Sequence, residues 1–513
     1  MTNDMPILRS SSAGPVNGSG LSWPLLVAAG AFLLFLTRQE LLNDPDTYWH
    51  IATGRWIYEH LAIPTTDPFS NSMLGAPWTA HEWLSELVYF SAYAAGGWTA
   101  VVAVAAAAFA AALAILTRYL LRHVEAIYAL FFVVMAATLA LPHLLARPHT
   151  LAAPLLVFWG VVLLRAREES RAPSRWLALL LALWANLHGG FPIALLLAAA
   201  FACEAILAAT DTTARWCAAR QWGSFMLAAL LASLLTPHGL DGLLFASNVH
   251  KMDFTLDTIA EWRSPDFHEL QWLEVWLMVT AAAVLTRGLR LPAVRLILIL
   301  GLLHFALRHV RHCELLGLMG PLIIAEPFAA QWFVSSSKEQ QSAMLDRLFA
   351  SLAGPASKPA TSVVLGILAV PGLAAIRIDH LHPSPESTPA SALRAIQEAF
   401  PENPTKQPGR VLNSYDFGGY LIFAGVSPYI DGRADLYGDA FVRQYVRTVQ
   451  LEDPELLPQL LASQRIGWTL LKPGEPAIGV LDHLPGWRRF HVDKTAVVHV
   501  REATETMTEH HRD

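Results

Sequence analysis

Runs of about 20 mostly apolar residues recur along this chain, and such a run is what a helix needs to cross a hydrocarbon layer about 30 Å thick. The first covers residues 21–37. Others follow near 98–117, 126–142, 150–166, 176–188, 190–209, 222–236, 270–286, 291–307, 312–330 and 361–377. Inside lipid the backbone finds no water, so each run must close its hydrogen bonds within a helix. The sequence therefore predicts an α-helical polytopic membrane protein with about 11 transmembrane helices. Composition agrees: of 513 residues 54% are hydrophobic and only 15% charged, and the mean hydropathy is +0.38. Residues 83–93 are apolar but too few to span, and read as a helix lying in or re-entering the interface. The first run follows a leader whose only basic residue is Arg9 and exits into Arg38-Gln39-Glu40 with no small-residue cleavage site. It reads as an anchor, not a cleaved signal.

The arginines orient these helices. Arg118 and Arg122, then Arg165, Arg167, Arg171 and Arg175, then Arg215 and Arg220, then Arg287 and Arg290 all fall on one side when the runs alternate in direction. The positive-inside rule makes that side the cytoplasm of a plasma (inner) membrane protein. Residues 1–20 become a cytoplasmic tail and 335–358 a cytoplasmic linker, while 43–82, 142–149, 236–271 and everything beyond about 377 lie outside. The chain divides into a transmembrane domain over 21–380, including an exoplasmic loop over 38–82, and an outer domain over 381–513. That domain opens with a Pro/Ser-rich tether and a short helix over 391–400. Strand-like runs follow at 410–413, 420–423, 467–471 and 496–500, with a helical stretch over 454–464, so it reads as a small α/β soluble domain.

A formal net charge of −6 argues against a nucleic-acid partner. Cys203, Cys217 and Cys313 lie in or beside apolar runs without paired spacing, which indicates neither a disulfide framework nor a zinc site. The Ala-rich run over 101–114 reads as a tightly packing membrane helix.

Chemistry concentrates in the first loop, which with the residues just after it carries Asp44, Asp46, His50, Arg55, Glu59, Asp67, His81, Glu82 and Glu86. Asn43 or Asp44 can cap a helix starting near Pro45, and Trp49, Trp56, Ile57 and Leu61 give it an apolar stripe to lay on the bilayer. Asp46 and His50, one turn apart, share a face. Carboxylates separated by one residue can share a divalent cation such as Mg or Mn, or one can serve as general base while the other binds metal. Asp44 and Asp46 are thus candidates for both roles. His81 and Glu82 form a second candidate catalytic site.

An acidic pair after helix one, a Tyr-containing juxtamembrane helix and a short motif opening the next helix resemble the C-type (GT-C) glycosyltransferases, which include protein O-mannosyltransferases and the aminoarabinose transferases of lipid A. Asp44, Asp46 and Tyr48 stand where that family has its acidic pair and tyrosine. His81-Glu82-Trp83-Leu84 stands where it has a His-Pro-Pro-Leu or Lys-Pro-Pro-Leu turn, without the prolines. The resemblance implies transfer of a sugar from a polyprenyl-phosphate-linked donor, on the outer face, to a lipid, protein or glycan acceptor, with membrane lipids as surroundings.

Such donors are anionic, so cations are expected on the same face. Arg147, beside His143 and His149, breaks the positive-inside pattern in that direction. So do His304, Arg308 and His312, spaced by four on one helical face, with Arg311 adjacent. These five residues, Arg147, His304, Arg308, Arg311 and His312, are candidate donor-phosphate ligands, since guanidinium suits phosphate. His188, His238 and Glu261-Trp262-Arg263 fall at outer helix ends. Near the C-terminus, Asp416 and Gly418 resemble the Trp-Trp-Asp-Tyr-Gly segment with which oligosaccharyltransferase catalytic subunits recognise acceptor peptide. Asp431-Gly432-Arg433 reads as a turn with a fixed ion pair or a binding arginine, and Asp416 and Arg433 are the candidate acceptor residues. Two other classes fit a polytopic chain: a transporter or flippase of a lipid-linked or anionic substrate, and a non-catalytic subunit of an envelope glycan complex. A transporter would place charge at the midplane and show inverted repeats; here the charges gather at one face.

Overall fold

A computed structural model describes residues 20–249, 251–332, 349–378, 380–400 and 408–502. The expected tail over 1–20, including Arg9, lies outside the described residues but for its last residue, as does most of the expected linker over 335–358.

The membrane part runs through α1 (Trp23–Leu36), α2 (Asp46–His60), α3 (Trp83–Leu120), α4 (Ala126–Ala140), α5 (Pro148–Glu168), α6 (Leu179–Leu187), α7 (Pro192–Ala208) and α8 (Thr212–Ser233). It continues through α9 (Gly239–Val249), α10 (Asp253–Thr258), α11 (Trp272–Arg287), α12 (Ala293–Arg308), α13 (Cys313–Trp332) and α14 (Lys358–Ile378). Among the described residues, five helices are long and apolar enough to cross a membrane: Trp83–Leu120, Ala126–His143, Pro148–Glu168, Val310–Trp332 and Lys358–Ala375. Shorter apolar helices cover Trp23–Leu36, Arg175–Leu187 and Pro192–Ala208.

α3 is the central strut, packed on α1, α2 and α5. Its Ala-rich stretch is buried at Val101, Val102, Ala105, Ala106 and Phe109, where small side chains let neighbouring backbones close in. The expected interfacial helix over 83–93 and the span after it are joined in α3. They meet at a kink where Gly96 and Gly97 leave helical geometry, Gly97 at φ 62°. α2 is not laid on a lipid surface either: Tyr48, Trp49, Ile51 and Ala52 are buried, and Leu61, expected on its apolar stripe, is 90% exposed at the helix end.

From residue 380 the chain builds α15 (Ala390–Ala399), β1 (Arg410–Asn413), α16 (Gly418–Phe423), α17 (Ala434–Val449), α18 (Leu456–Ser463), β2 (Ile466–Leu471), α19 (Ala477–Leu481), β3 (Trp487–Val492) and β4 (Val497–Arg501). The strands form one sheet in the order β1-β2-β4-β3, parallel only between β1 and β2. Its two faces bury separate clusters, Leu412 with Tyr437 and Leu457 on one and Val411 with Phe417, Trp468 and Val498 on the other. Residues 420–423, expected as a strand, are helical: the run is apolar on every side because α16 is wedged between the sheet, α2 and the membrane helices, with Leu421 in the sheet cluster and Tyr420 and Phe423 against Tyr48. β3 gave no apolar signal because it is an edge strand with Arg488 and Arg489 exposed.

Candidate functional site

Two polar clusters form where α2, the start of α3 and the start of α5 converge under residues 415–439. The first begins at the turn before α2. Asp44 Oδ1 accepts the Asp46 N–H at 2.8 Å, so Asp44, and not Asn43, secures the opening of the helix. Arg147 faces the pair from the residue preceding α5. Its carbonyl accepts the Tyr89 hydroxyl at 2.9 Å, and the neighbouring Ala146 N–H donates to Leu41, which fixes where the guanidinium points.

Arg147 Nη2 donates to Asp46 Oδ2 at 3.0 Å and Nη1 to Glu261 Oε2 at 2.8 Å. Asp44 Oδ2 lies 3.0 Å from Nη1, off hydrogen-bond geometry. Glu261 in turn accepts Arg311 Nη1 at 2.9 Å, and that guanidinium lies 4.5 Å over the Trp262 ring. The chain Asp44/Asp46–Arg147–Glu261–Arg311 sets three carboxyl groups against two guanidiniums, a surplus of one acid in a poorly hydrated place.

The pKa shifts express that surplus. Burial, then the Asp44 carboxylate alongside, pushes the Asp46 carboxyl up to about 8 despite Arg147. Burial raises Asp44 too. Burial also acts on Glu261, but Arg147 and then Arg311 outweigh it and hold that carboxyl well below the usual range. With its carboxyl raised to about 8, Asp46 holds its proton at neutral pH while Glu261 stays ionised.

The second cluster sits one turn along α2. His50 is 1% exposed and its ring lies 3.7 Å from that of Trp49. His50 Nδ1 is 3.5 Å from Glu86 and Nε2 is 4.0 Å from Glu82, neither a hydrogen bond. Glu82 Oε1 has His81 Nε2 and His188 Nε2 each at 3.6 Å. Burial drives His50 down to about 3 and His188 to about 4, so both are neutral. Burial opposes the charged forms of His81 and Glu82 as well, yet each outweighs it for the other, lifting His81 and holding Glu82 well below its ordinary value.

The turn at 431–433 covers both clusters. A Cβ placed on Gly432 would land on the Asp46 carboxylate, so only glycine permits this approach. Asp435 feels the charge of His81, and Asp439 accepts Phe254 N–H at 3.1 Å and Thr255 N–H at 2.9 Å. Arg433 anchors the turn: it bonds Asp67 Oδ1 and Asp431 Oδ2 at 2.7 Å each, all three side chains fully buried, with its guanidinium 4.7 Å over the Trp78 ring.

Of the residues expected in a site, the structure thus brings together Asp44, Asp46, Arg147 and Arg311, and, beside them, His81 and Glu82. Others are placed differently. α12 ends at Arg308 and His309 is extended, so His304, Arg308 and His312 do not share one helical face; His304 and Arg308 are exposed, and the Arg308 side chain has no ion pair among the described residues. His312 packs its ring against Trp262, 6.0 Å between centroids, beyond Arg311. Arg433 is a buried brace, 1% exposed and paired with Asp67 and Asp431. Asp416 is half-exposed and paired with Lys472. A divalent cation on Asp44 and Asp46 does not fit this arrangement, because the Arg147 guanidinium stands against both carboxylates. Among the described residues, no three His, Cys, Asp or Glu side chains are grouped to hold a metal ion. The sequence places Glu261 at an outer helix end but gives no sign that it links two arginines, and Gly432 and Asp435, as the cover, had no local signal beyond the acid-rich and glycine-rich stretch DGRADLYGD.

No protein-family model matches the chain, and no curated protein sequence matches it significantly. Solved structures do. ArnT from Cupriavidus metallidurans bound to undecaprenyl phosphate superposes with a TM-score of 0.51 at 12% identity, covering 94% of this chain and 98% of that one. Its apo state gives 0.51 and 12%, over 93% and 97%. The archaeal oligosaccharyltransferase AglB from Archaeoglobus fulgidus, in complex with an inhibitory peptide and a dolichol-phosphate, gives 0.49 and 12%, over 88% of this chain and 69% of that one. The ArnT likeness shows that this chain shares the fold of that protein, in line with the resemblance carried by the first loop.

Proposed function

We propose that this membrane protein is a glycosyltransferase that moves a sugar from a polyprenyl-phosphate-linked donor to an acceptor hydroxyl at the exoplasmic face. In this reading about 11 helices span the inner membrane, the N-terminus is cytoplasmic, and the sheet-bearing C-terminal domain covers the site from outside. The observation that carries it is the Asp44/Asp46–Arg147–Glu261–Arg311 chain, which puts a carboxyl of raised pKa next to guanidiniums suited to phosphate. The ArnT neighbour bound to undecaprenyl phosphate supports a lipid-phosphate leaving group.

Asp46, the more accessible of the pair, takes the proton of the acceptor hydroxyl. The hydroxyl oxygen bonds to the anomeric carbon while the bond from that carbon to the phosphate oxygen breaks, and a single displacement inverts the carbon. The polyprenyl phosphate leaves with the electron pair. Arg147 and Arg311 hold it through charge-assisted hydrogen bonds that strengthen as its charge develops. Asp44 positions: it accepts the Asp46 N–H at the opening of α2 and shares Arg147.

The base acts only when deprotonated, so kcat/KM for transfer from polyprenyl-phosphate sugars, measured with purified protein, should climb with pH and level off above about 8, where the Asp46 carboxyl has lost its proton. A flat profile from pH 6 to 9 sinks the base assignment, and no transfer from any polyprenyl-phosphate sugar sinks the function. Gly432→Ala should cost about 100-fold in kcat by pushing the Asp46 carboxylate out of line. Unchanged kcat in that variant would show that the turn does not set the position of the base.

A further inference from the structure

At the end of α3 remote from the acid clusters, the chain encloses a cavity of about 610 Å³ between α1, α3, α5 and the segment leading into α14. From Glu86 to Arg118 the helix advances 32 residues, about 48 Å at 1.5 Å each before the kink is allowed for. The cavity therefore opens at the opposite membrane face, the arginine-rich side that the positive-inside bias assigns to the cytoplasm. One part of its wall is basic: Arg118 from the last turn of α3, Arg122 from the turn just after it, and Arg165 from the last turn of α5. Arg165 has Glu169 at 3.5 Å, Arg122 acts on the Glu168 and Glu169 carboxylates from beyond ion-pair distance, and Arg118 has no ion pair among the described residues. Apart from Ser22 and Thr361 the rest is apolar, with Leu25 and Ala28 on α1 and Ala114 on α3.

The rim is built. Trp23 N–H donates to the Leu352 carbonyl at 2.8 Å, Ser357 N–H to Gly20 at 3.1 Å, and the Trp23 indole to Phe349 at 3.0 Å, so the 349–357 segment is stitched to the start of α1. Three guanidiniums, Arg118, Arg122 and Arg165, beside two carboxylates, Glu168 and Glu169, leave this wall net positive, and with the aliphatic wall that descends between helices it matches an amphiphile with an anionic head. A free anion would leave the aliphatic wall facing water. A zwitterionic head would bring a cation against the arginines.

We infer that this cavity binds one anionic phospholipid of the cytoplasmic leaflet, its phosphate on Arg118 and Arg122 and an acyl chain along Leu25, Ala28 and Ala114. The site is separate from sugar transfer and ties α1, α3 and α14 together at their cytoplasmic ends. The test is thermal unfolding of the purified full chain in phosphatidylcholine nanodiscs with and without phosphatidylglycerol, with inorganic phosphate as a parallel arm. Phosphatidylglycerol should raise Tm by a few degrees and inorganic phosphate should not. Arg118→Gln/Arg122→Gln should keep the phosphatidylcholine Tm and lose most of the increment. Ala28→Phe, which fills the apolar part and leaves the arginines in place, should lose it as well, and carries the test if the double variant fails to fold. An increment that survives in Ala28→Phe, or is reproduced by inorganic phosphate alone, overturns the lipid site.

Discussion

Asp46→Asn is expected to lower kcat for sugar transfer by about 10²–10⁴-fold, the range a positioned general base supplies, while the protein folds and inserts as before. Stability should hold because the change removes the surplus acid from the cluster: three carboxyl groups against two guanidiniums become two against two, and the new amide oxygen still accepts from Arg147. Asp44→Asn should cost less in kcat, since its main bond, from Oδ1 to the Asp46 N–H, is one an amide oxygen also makes. Rates of both variants in membranes, beside their Tm, decide the matter. Full activity of Asp46→Asn removes the base, and a larger loss in Asp44→Asn transfers the role to Asp44.

Arg433→Met should destabilise the protein by about 3–5 kcal/mol, because Asp67 and Asp431 would remain as buried carboxylates with no counter-ion. Chemical or thermal unfolding reads this as a large drop in midpoint. The triple variant Arg433→Met/Asp67→Leu/Asp431→Leu should recover most of the loss, because the penalty belongs to the unpaired charges and not to the missing side chain. A single variant as stable as the parent would mean that water reaches the acids when the arginine is gone, and the turn at 431–433 would then not be a sealed brace.

The apolar runs and the acids of the first loop could be read in the sequence because hydropathy and local charge density are written in consecutive residues. Arg147 and Arg311 were marked by breaking the arginine pattern, an energetic anomaly visible without a fold. Arg308 bore the same mark and lies outside the cluster: the chain leaves helical geometry at His309, and spacing by four means a shared face only while a helix continues. Arg433 reads from the sequence as one half of a fixed ion pair in its turn or as a binding arginine; the pair with Asp431 forms, while the second partner, Asp67, lies 366 residues away and out of reach of any local reading. The link through Glu261 and the cover by Gly432 depend on contacts between distant segments, which no window of residues contains.

That separation also sets an order of events during synthesis. The acid-bearing loop is made early, and the turn that seals it belongs to the last fifth of the chain. Until residues 431–439 emerge and dock, Asp67 faces water and Asp46 lacks the Gly432 backbone against it. A ribosome-bound intermediate with all its membrane helices already inserted would thus hold its acids as ordinary hydrated carboxylates. Closing so long a loop is slow to search, and only once residues 431–439 have docked does the proton affinity of Asp46 rise to its final value.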